Sequence, residues 1–216
     1  MSTIIYLIRH SIRFDMDDII NNNTDQSPLL KNEKIILSVE GEKRAKELAE
    51  KDELKNIDVV YTSNCVRTLQ TAKYLLQKQN LKAFIDDRLD ERRVGVPNAD
   101  RVPNWFELQY KDENYKTEGG ESQKDVRERF ESAFNEIVND NKGKRIAVFS
   151  HGYAILFFLM KWIKFKGILD EKTIWLEKDG ETFIKKRIDA PEVFKLELDE
   201  TNKLKKLENI EFQYSD

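Results

Sequence analysis

The chain has 216 residues, of which 37 are lysine or arginine and 40 are aspartate or glutamate, so its formal net charge at pH 7 is only −3. This near balance excludes a whole-molecule field that would attract nucleic acid or a membrane surface. The single cysteine excludes an internal disulfide framework and any CxxC pair, so we expect a reducing, cytoplasmic location. We expect no signal peptide, and one domain over residues 1–216.

Four short apolar runs predict β-strands, because they are rich in Ile, Val, Phe and Tyr. They cover residues 4–8, 57–61, 82–85 and 145–149. At least two of these runs are apolar at consecutive positions, which is typical of strands covered on both faces in a parallel sheet. Helices must supply that cover.

Helical patterns lie between or after these strands, at residues 39–51, 66–79, 122–139 and 154–163. The third is the best marked, because its apolar residues recur at three- and four-residue spacing and Ser122 precedes Asp125 at the spacing of a capping box. The alternation of strands and helices predicts an α/β fold, a three-layer α/β/α sandwich with a mainly parallel central sheet.

Three further segments do not follow this alternation. Residues 15–36 are a polar loop candidate. Residues 92–120 carry aromatic residues between Pro97 and Gly119-Gly120, and we interpret them as a lid-like insertion, as a small helical subdomain that buries its own aromatics, or as both. The segment "VFKLELDETNKLKKLENIEF" predicts an antiparallel hairpin at a sheet edge near the C-terminus. The longest apolar stretch, at 154–163, is too short to span a bilayer.

Chemically useful residues follow each predicted strand. They are Arg9 and His10 after the first, Thr62, Ser63 and Arg67 after the second, Asp90 and Glu91 after the third, and Ser150, His151 and Gly152 after the fourth. In an open parallel sheet, ligands bind in the crevice at the carboxyl ends of the strands. A lone histidine at such an end is usually structural, but both histidines of this chain occupy such positions. We therefore expect two histidines, two arginines and a carboxylate to lie together.

This set of side chains suits phosphoryl transfer. Two guanidiniums match phosphate oxygens and stabilise the charge on a transferring phosphoryl group. A neutral imidazole can act as the nucleophile, a second histidine can donate to the same oxygens, and a carboxyl group can protonate the departing oxygen. The chemistry through a phosphohistidine requires neither a metal nor a cofactor.

Other site chemistries fit less well. A zinc site is disfavoured because the chain has no HExxH motif and the adjacent arginines would repel a cation. Cys65 is separated from Arg67 by Val66 alone, too short for the backbone cradle of a thiolate phosphatase, so we interpret Cys65 as a packing residue at a helix start. The chain has no GxSxG, GxGxxG or P-loop motif.

Six motifs, in order, resemble the histidine phosphatase superfamily in its phosphoglycerate-mutase-like branch. "LIRHS" is similar to the family's arginine-histidine-glycine triplet, "LSVEGEKRA" to its LTxxGxxxA helix start and "YTSNCVRTLQTA" to its SSxxxRAxxTA segment. "RLDERRVG" is similar to the LxExxxG acid motif, and "GGESQKDVRER" and "VFSHG" to the GES and SHG elements. The matches run from Ile4 to Gly152.

The resemblance implies a role for each matching position. His10 would become phosphorylated, while Arg9, Arg67 and His151 would hold the phosphate. Glu91 would donate the proton and later activate water, with Asp90 as the neighbouring alternative. The substrate would be a small phosphorylated metabolite.

The sequence departs from the family pattern after the first histidine, where Ser11 replaces the usual glycine and Arg13 replaces a hydroxyl residue. Glycine commonly serves where the backbone approaches a ligand, so Ser11 puts the local backbone geometry in question. Ser11, Arg13 and Gly152 are candidate substrate-binding residues, and Arg13 either faces a multiply anionic substrate or faces solvent. Residues of the presumed lid could also select a substrate: Arg92, Arg93, Arg101, Trp105 and Tyr110.

Three functions are compatible with these residues. The first is a metal-independent phosphatase of phosphomonoesters that works through phosphorylated His10. The second is a phosphoglycerate-mutase-type phosphotransferase, although the chain lacks the tryptophan-asparagine pair that such mutases carry soon after the first motif. The third is a non-catalytic binder of the same fold, which Ser11 favours and the presence of both histidines and Glu91 disfavours. The sequence does not indicate an oligomeric state.

Overall fold

The computed structural model describes residues 2–14, 32–95, 102–170 and 173–215. Two β-sheets organise this part of the chain, one of six strands and one of three. In chain order the strands are β1 (Thr3–Arg9), β2 (Val59–Thr62), β3 (Ala83–Ile85), β4 (Arg145–Ser150), β5 (Lys164–Ile168), β6 (Ile174–Lys178), β7 (Glu181–Lys186), β8 (Val193–Leu198) and β9 (Leu204–Ile210). The four strands predicted from apolar runs are present as β1 to β4.

The larger sheet has the strand order β3-β2-β4-β1-β8-β9. Its first four strands are parallel to one another, whereas β8 and β9 add an antiparallel hairpin at the edge, so the predicted mainly parallel sheet and its edge hairpin are confirmed. Ile8 of β1 and Thr62 of β2 both lie opposite Phe149 of β4. The carboxyl ends of these three strands therefore finish level at one edge of the sheet.

Helices cover both faces of this sheet. They are α1 (Val39–Glu50), α2 (Val66–Gln79), α3 (Trp105–Lys111), α4 (Gln123–Asp140) and α5 (Gly152–Leu159). Side chains alternate along β1, so Tyr6 and Ile8 pack in a cluster with α1 and α2, while Ile5 and Leu7 pack in a cluster with α4 and α5. These are the three layers expected from the sequence.

The N-terminus of α4 has the capping box that the sequence predicts. The Ser122 hydroxyl accepts from the Asp125 backbone N–H at 3.1 Å, and the Asp125 carboxylate accepts from the Ser122 N–H at 3.0 Å. Two backbone donors that the helix itself cannot satisfy are therefore paired. The helix begins one residue after Ser122 and buries the predicted apolar face, which includes Val126, Phe130 and Phe134.

Helix α5 begins and ends earlier than the predicted range 154–163. His151 is its N-cap, with an extended backbone, and the helix ends at Leu159, after which the chain turns and enters β5 at Lys164. Ile163 is still buried in the same core although it lies beyond the helix. The apolar run predicted burial correctly, but the helix boundaries drawn from it were wrong.

The three-stranded sheet was not anticipated from the sequence. Its strands β5, β6 and β7 are antiparallel, and each carries lysine or glutamate beside its apolar residues. Ile174, Leu176 and Ile184 bury the apolar side of this sheet in the cluster that also contains α4 and α5. A strand with one solvent-exposed face has a weaker hydrophobic signal in the sequence than the continuous apolar runs of the central sheet.

The expected lid at residues 92–120 stays a prediction, because residues 96–101, which include Arg101, lie outside the described residues. Most of the predicted polar loop at 15–36 also lies outside them. Within 102–120, α3 packs Phe106 and Tyr110 against Tyr153 of α5; Tyr110 is buried, whereas the other aromatics of this segment are half-buried. No helix in the part of the chain that the structure describes has the length and apolarity to cross a membrane.

Candidate active site

The loops that follow β1, β2 and β4 lie together at the carboxyl edge of the central sheet. The His10 N–H donates to the Ser150 carbonyl at 2.9 Å, and the Ser63 N–H donates to the Phe149 carbonyl at 3.0 Å, so the sheet pairing continues into these loops. The rings of His10 and His151 meet edge to face, with centroids 5.2 Å apart. The two histidines of the chain therefore lie side by side, as the strand-end argument predicts.

His10 is held as a neutral imidazole with one free ring nitrogen. Its Nδ1 lies 2.7 Å from the Ser11 carbonyl, and because a carbonyl only accepts, Nδ1 carries the proton. Burial lowers the pKa of His10 well below its ordinary value, and the positive charges of Arg67 and Arg9 lower it further. His10 lines the cleft described below, and its Nε2 keeps the lone pair that a nucleophile needs.

His151 is fully buried, and its protonation state follows from its two partners. Arg67 Nη2 donates to Nδ1 at 2.9 Å, and because a guanidinium has no acceptor, Nδ1 must be unprotonated. The proton is therefore on Nε2, which donates to Ser63 Oγ at 2.8 Å. Burial, followed by the charge of Arg67, lowers the pKa of His151 well below its ordinary value.

Two hydroxyl groups complete this chain of hydrogen bonds. Thr68 Oγ1 donates to the Cys65 carbonyl at 2.7 Å, so the Ser63 hydroxyl, 2.8 Å away, donates to Thr68 Oγ1 and accepts from His151. Sequence reasoning placed Ser63 at a strand end but gave it no role, and it missed Thr68. The signal available was the pair of hydroxyl residues around Arg67 in "TSNCVRT".

Arg9 is fixed by the loop that leads from β7 to β8. Its Nη1 donates to the carbonyls of Ile188 at 2.8 Å and Asp189 at 2.9 Å. Burial lowers the pKa of Arg9, whereas the nearby carboxylates of Glu91 and Glu192 raise it. A Cβ at Gly152 would lie 3.4 Å from Arg9 Nε, so the start of α5 lies directly against this guanidinium.

Arg67 is held from the opposite side of the histidine pair. Its Nη1 donates to the Asn32 carbonyl at 2.6 Å, while Nη2 reaches the Asn32 side chain as well as His151. Desolvation lowers the pKa of Arg67. The Nε atoms of Arg9 and Arg67 are buried with no hydrogen-bond partner among the described residues.

Glu91 and Asp90, the two carboxylates between which the sequence left the choice of proton donor open, differ in position. The Glu91 carboxylate lines the cleft and accepts the backbone N–H groups of Arg92 at 2.9 Å and Ala154 at 3.1 Å. Asp90 accepts the Asn64 N–H at 2.8 Å and does not line the cleft. Burial raises the pKa of Asp90 to about 6. Of the two carboxylates, Glu91 is the one placed to meet a ligand.

The cleft has a volume of about 1490 Å³ and a strongly cationic lining. Its arginines are Arg9, Arg13, Arg44, Arg67, Arg92, Arg93 and Arg187, and its acidic residues in the described ranges are Glu91, Glu118 and Asp189. Such an excess of guanidiniums favours anionic ligands. The cleft is lined by most of the residues predicted to act in catalysis or to bind phosphate or substrate, namely Arg9, His10, Ser11, Arg13, Arg67, Glu91 and Gly152, and by the candidate selectivity residues Arg92, Arg93 and Tyr110. His151, Asp90 and Trp105 do not line it, and Arg101 lies outside the described residues.

Ser11 does not distort the backbone where the related motif has glycine. It is not among the residues with positive φ, and its N–H donates to Thr71 Oγ1 at 2.9 Å. Its own hydroxyl is buried and has no partner in the described part of the chain. The serine at this position is therefore accommodated in an ordinary backbone conformation.

One group of potential metal ligands lies beside the histidine pair. Ligand atoms of Cys65, Asp90 and His151 all lie within 4.8 Å of one another. Both ring nitrogens of His151 already have partners, and burial raises the pKa of the Cys65 thiol to about 11, which disfavours the thiolate that a metal binds. The donor set does not fit a metal, and Cys65 is buried at the N-cap of α2 as a packing residue.

The fold and this cleft define an α/β protein with a paired-histidine site at the end of a parallel sheet. Residues 5–169 match the model of the histidine phosphatase superfamily, branch 1. The match covers well over half of the chain and includes His10, Arg67, Glu91 and His151. The chain belongs to the histidine phosphatase superfamily.

Curated relatives carry the names of both mutases and phosphatases. The probable phosphoglycerate mutase GpmB of Cronobacter sakazakii is 26% identical over 163 residues, which is 70% of this chain and 70% of that protein. Phosphoserine phosphatase 1 of Hydrogenobacter thermophilus is 31% identical over 123 residues, which is 53% of this chain and 58% of that protein.

Solved structures share the fold over nearly the whole chain. A mycobacterial glucosyl-3-phosphoglycerate phosphatase superposes with a TM-score of 0.66 at 16% identity and covers 97% of both chains. The alpha-ribazole phosphatase of Shigella flexneri superposes with a TM-score of 0.65 at 16% identity and covers 96% of both chains. At these identities the likeness establishes the α/β fold alone.

Proposed function

We propose that this protein is a metal-independent phosphatase that hydrolyses phosphomonoesters through a phosphohistidine at Nε2 of His10. The observation that carries the proposal is the state of His10. Its Nδ1 proton is bound to the Ser11 carbonyl at 2.7 Å, which leaves the Nε2 lone pair free in a cleft lined by Arg9 and Arg67. When Nε2 bonds to phosphorus, the ring becomes cationic, and the same carbonyl stabilises that charge.

The reaction has two steps. In the first, His10 Nε2 attacks phosphorus, the bond between phosphorus and the ester oxygen breaks, and the Glu91 carboxyl group protonates the departing oxygen. In the second, Glu91 takes a proton from water, the oxygen of that water attacks phosphorus, and the bond between phosphorus and Nε2 breaks to release phosphate. Arg9 and Arg67 stabilise the charge on the transferring group, and His151 holds Arg67 in place by accepting from its Nη2.

The substrate that this cleft suits is a small phosphorylated metabolite. We propose no nucleic-acid or membrane partner, because the net charge of −3 provides no whole-molecule attraction for either. The single cysteine supports a reducing compartment, and we propose the cytoplasm.

A mutase is the second candidate, and the similarity to the protein named probable phosphoglycerate mutase supports it. A mutase would use the same phosphorylated His10 but would return the phosphoryl group to a bound intermediate rather than to water. Conversion of 3-phosphoglycerate to 2-phosphoglycerate that is faster than release of phosphate from either compound would favour the mutase.

The test of the proposed function is hydrolysis of p-nitrophenyl phosphate in the presence of EDTA. We expect the wild-type protein to release phosphate and, when the reaction is stopped in alkali during turnover, to carry a phosphoryl adduct that is labile to acid. His10→Ala should lose both, because the nucleophile is missing. Arg127→Met is the control, because Arg127 lies on α4, pairs with Glu113 and does not line the cleft. Hydrolysis that His10→Ala leaves unchanged would overturn the proposal.

A further inference from the structure

Glu192 is a buried carboxylate at the entry to β8, and it does not line the cleft. Its Oε2 accepts the Asp189 backbone N–H at 2.7 Å, while Oε1 accepts from Asn209 Nδ2 at 2.6 Å and lies 3.1 Å from Lys186 Nζ. Burial of a charge is costly unless the charge is paired and hydrogen-bonded, and these three donors offset that cost. The carboxylate therefore ties the end of β7, the loop between β7 and β8, and β9 together.

One peptide group of that loop connects Glu192 to Arg9. The C=O of Ile188 and the N–H of Asp189 belong to this same peptide group. Its N–H donates to the Glu192 carboxylate, and its C=O accepts from Arg9 Nη1 at 2.8 Å. The peptide is trans and therefore planar and rigid, with its N–H and C=O pointing in nearly opposite directions. The carboxylate on one side thus sets the direction of the carbonyl that holds the guanidinium on the other side.

Glu192 also acts on Arg9 through its own backbone and its charge. The Glu192 carbonyl accepts the Arg9 backbone N–H at 2.9 Å. Burial lowers the pKa of Arg9, and the carboxylates of Glu91 and Glu192 oppose that shift. The side-chain hydrogen bonds of Arg9 to the described part of the chain are those from Nη1 to the two loop carbonyls, because Nε is buried without a partner there. The orientation of the guanidinium therefore depends on this loop.

We infer that Glu192 is a positioning residue for phosphoryl transfer, which acts through the peptide between Ile188 and Asp189 to aim the Arg9 guanidinium at the transferring phosphoryl group. This inference rests on the proposed function and adds a residue that does not touch the substrate. When the carboxylate is lost, the peptide loses the acceptor for its N–H and the carbonyl no longer has a fixed direction. A small displacement of a group that contacts the transition state lowers the rate.

Glu192→Gln separates the two sides of this carboxylate, because glutamine has the same size but only one acceptor oxygen. That oxygen cannot accept from Asp189 and also face Asn209 and Lys186. The Asn209 amide cannot reverse without loss, since its Nδ2 also donates to the Val193 carbonyl at 3.1 Å. We expect the oxygen to stay with the charged ammonium of Lys186, so the glutamine NH₂ faces the Asp189 N–H and the peptide is released.

Glu53→Gln is the matched control. The Glu53 carboxylate accepts from the Tyr6 hydroxyl at 2.8 Å and from Lys195 Nζ at 2.7 Å, and it does not line the cleft. The same substitution there disrupts a half-buried ion pair on the central sheet without contact to Arg9 or its loop.

The test is a double-mutant cycle between Glu192→Gln and Arg9→Ala. It is measured as kcat/KM for p-nitrophenyl phosphate and as the Kd for inorganic phosphate from isothermal titration calorimetry. We expect Glu192→Gln alone to lower kcat/KM and to weaken phosphate binding by about threefold to tenfold, because a net hydrogen bond contributes about that factor. In the Arg9→Ala background the same substitution should change neither quantity, since the guanidinium that Glu192 orients is gone. Glu53→Gln should keep the wild-type values.

Equal effects of Glu192→Gln with and without Arg9, or wild-type values in a folded Glu192→Gln variant, would overturn the inference and leave the phosphatase intact. A thermal unfolding curve identifies a variant that has lost its fold. Glu192→Asp, which keeps both carboxylate oxygens on a shorter side chain, then replaces Glu192→Gln in the cycle, and its loss should likewise vanish without Arg9.

A wild-type protein that binds phosphate but does not hydrolyse p-nitrophenyl phosphate would overturn the proposed function, and the phosphate Kd values of the cycle would then decide whether Glu192 orients Arg9. A wild-type protein that neither hydrolyses the ester nor binds phosphate would overturn both.

Discussion

Replacement of Ser63 by alanine tests whether the Ser63 hydroxyl holds the His151 ring in the tautomer that carries its proton on Nε2. Ser63 Oγ is the acceptor for the His151 Nε2 proton at 2.8 Å, in a site where both residues are fully buried. In Ser63→Ala the proton on Nε2 has no acceptor. It cannot move to Nδ1 without cost, because Arg67 Nη2 already donates to that atom at 2.9 Å.

The size of the effect follows from this conflict. A buried donor left without an acceptor costs about 1–3 kcal/mol. Arg67 is assigned to the transferring phosphoryl group and is bonded to His151, so we expect this cost to lower kcat/KM about fivefold to 150-fold, since each 1.36 kcal/mol is a factor of ten. Ser63→Thr keeps a hydroxyl at the same position and should recover most of the loss.

The chain has only two histidines, so selective ¹⁵N labelling of histidine gives signals from His10 and His151 alone. We expect the wild-type spectrum to show one ring protonated at Nδ1 and the other at Nε2. Ser63→Ala should alter the second ring and lower kcat/KM for p-nitrophenyl phosphate. Unchanged kcat/KM together with an unchanged His151 signal would refute the reasoning.

Two further predictions concern stability. Gly41→Ala should destabilise the protein by about 1–3 kcal/mol in urea unfolding, because the new Cβ would lie 2.0 Å from the backbone oxygen of Ile12. Gly167→Ala, with nothing within 4 Å, is its control, and equal losses in the two variants would contradict the steric argument. Burial raises the pKa of Asp90 from 3.8 to about 6, so its contribution to stability is present below pH 4 and is lost as the pH rises through 6. At pH 7.5 the free energy of unfolding of Asp90→Asn should therefore exceed that of wild type by about 1 kcal/mol after solvent screening, and its unfolding temperature should be higher. At pH 4 the two proteins should differ little. An advantage that does not grow with pH would contradict the assigned titration.

The central sheet could be predicted because its signals are local. The apolar run at 4–8 is covered on both faces and so lacks alternation, and the Ser122–Asp125 spacing marks the start of α4. The sheet of β5, β6 and β7 was missed because its strands are short and mix two or three apolar residues with lysine and glutamate, a composition that a solvated surface segment shares.

The candidate site was predictable at the level of which residues meet, because parallel strands bring their carboxyl ends to one edge. It was not predictable at the level of which atom faces which. A one-residue offset separates Glu91, which lines the cleft, from Asp90, which does not. The tautomers of His10 and His151 depend on the Ser11 carbonyl and on Ser63, and these contacts are set by tertiary geometry.

The carbonyls of Ile188 and Asp189 hold Arg9, although they lie almost at the opposite end of the chain. The segment that identifies the family stops at residue 169, before these two acceptors. A fragment cut to that segment would keep all the side chains assigned to phosphoryl transfer and yet release one of its guanidiniums. The smallest unit able to hold Arg9 in this way must therefore extend through the loop into β8, which makes the late strands part of the proposed active site.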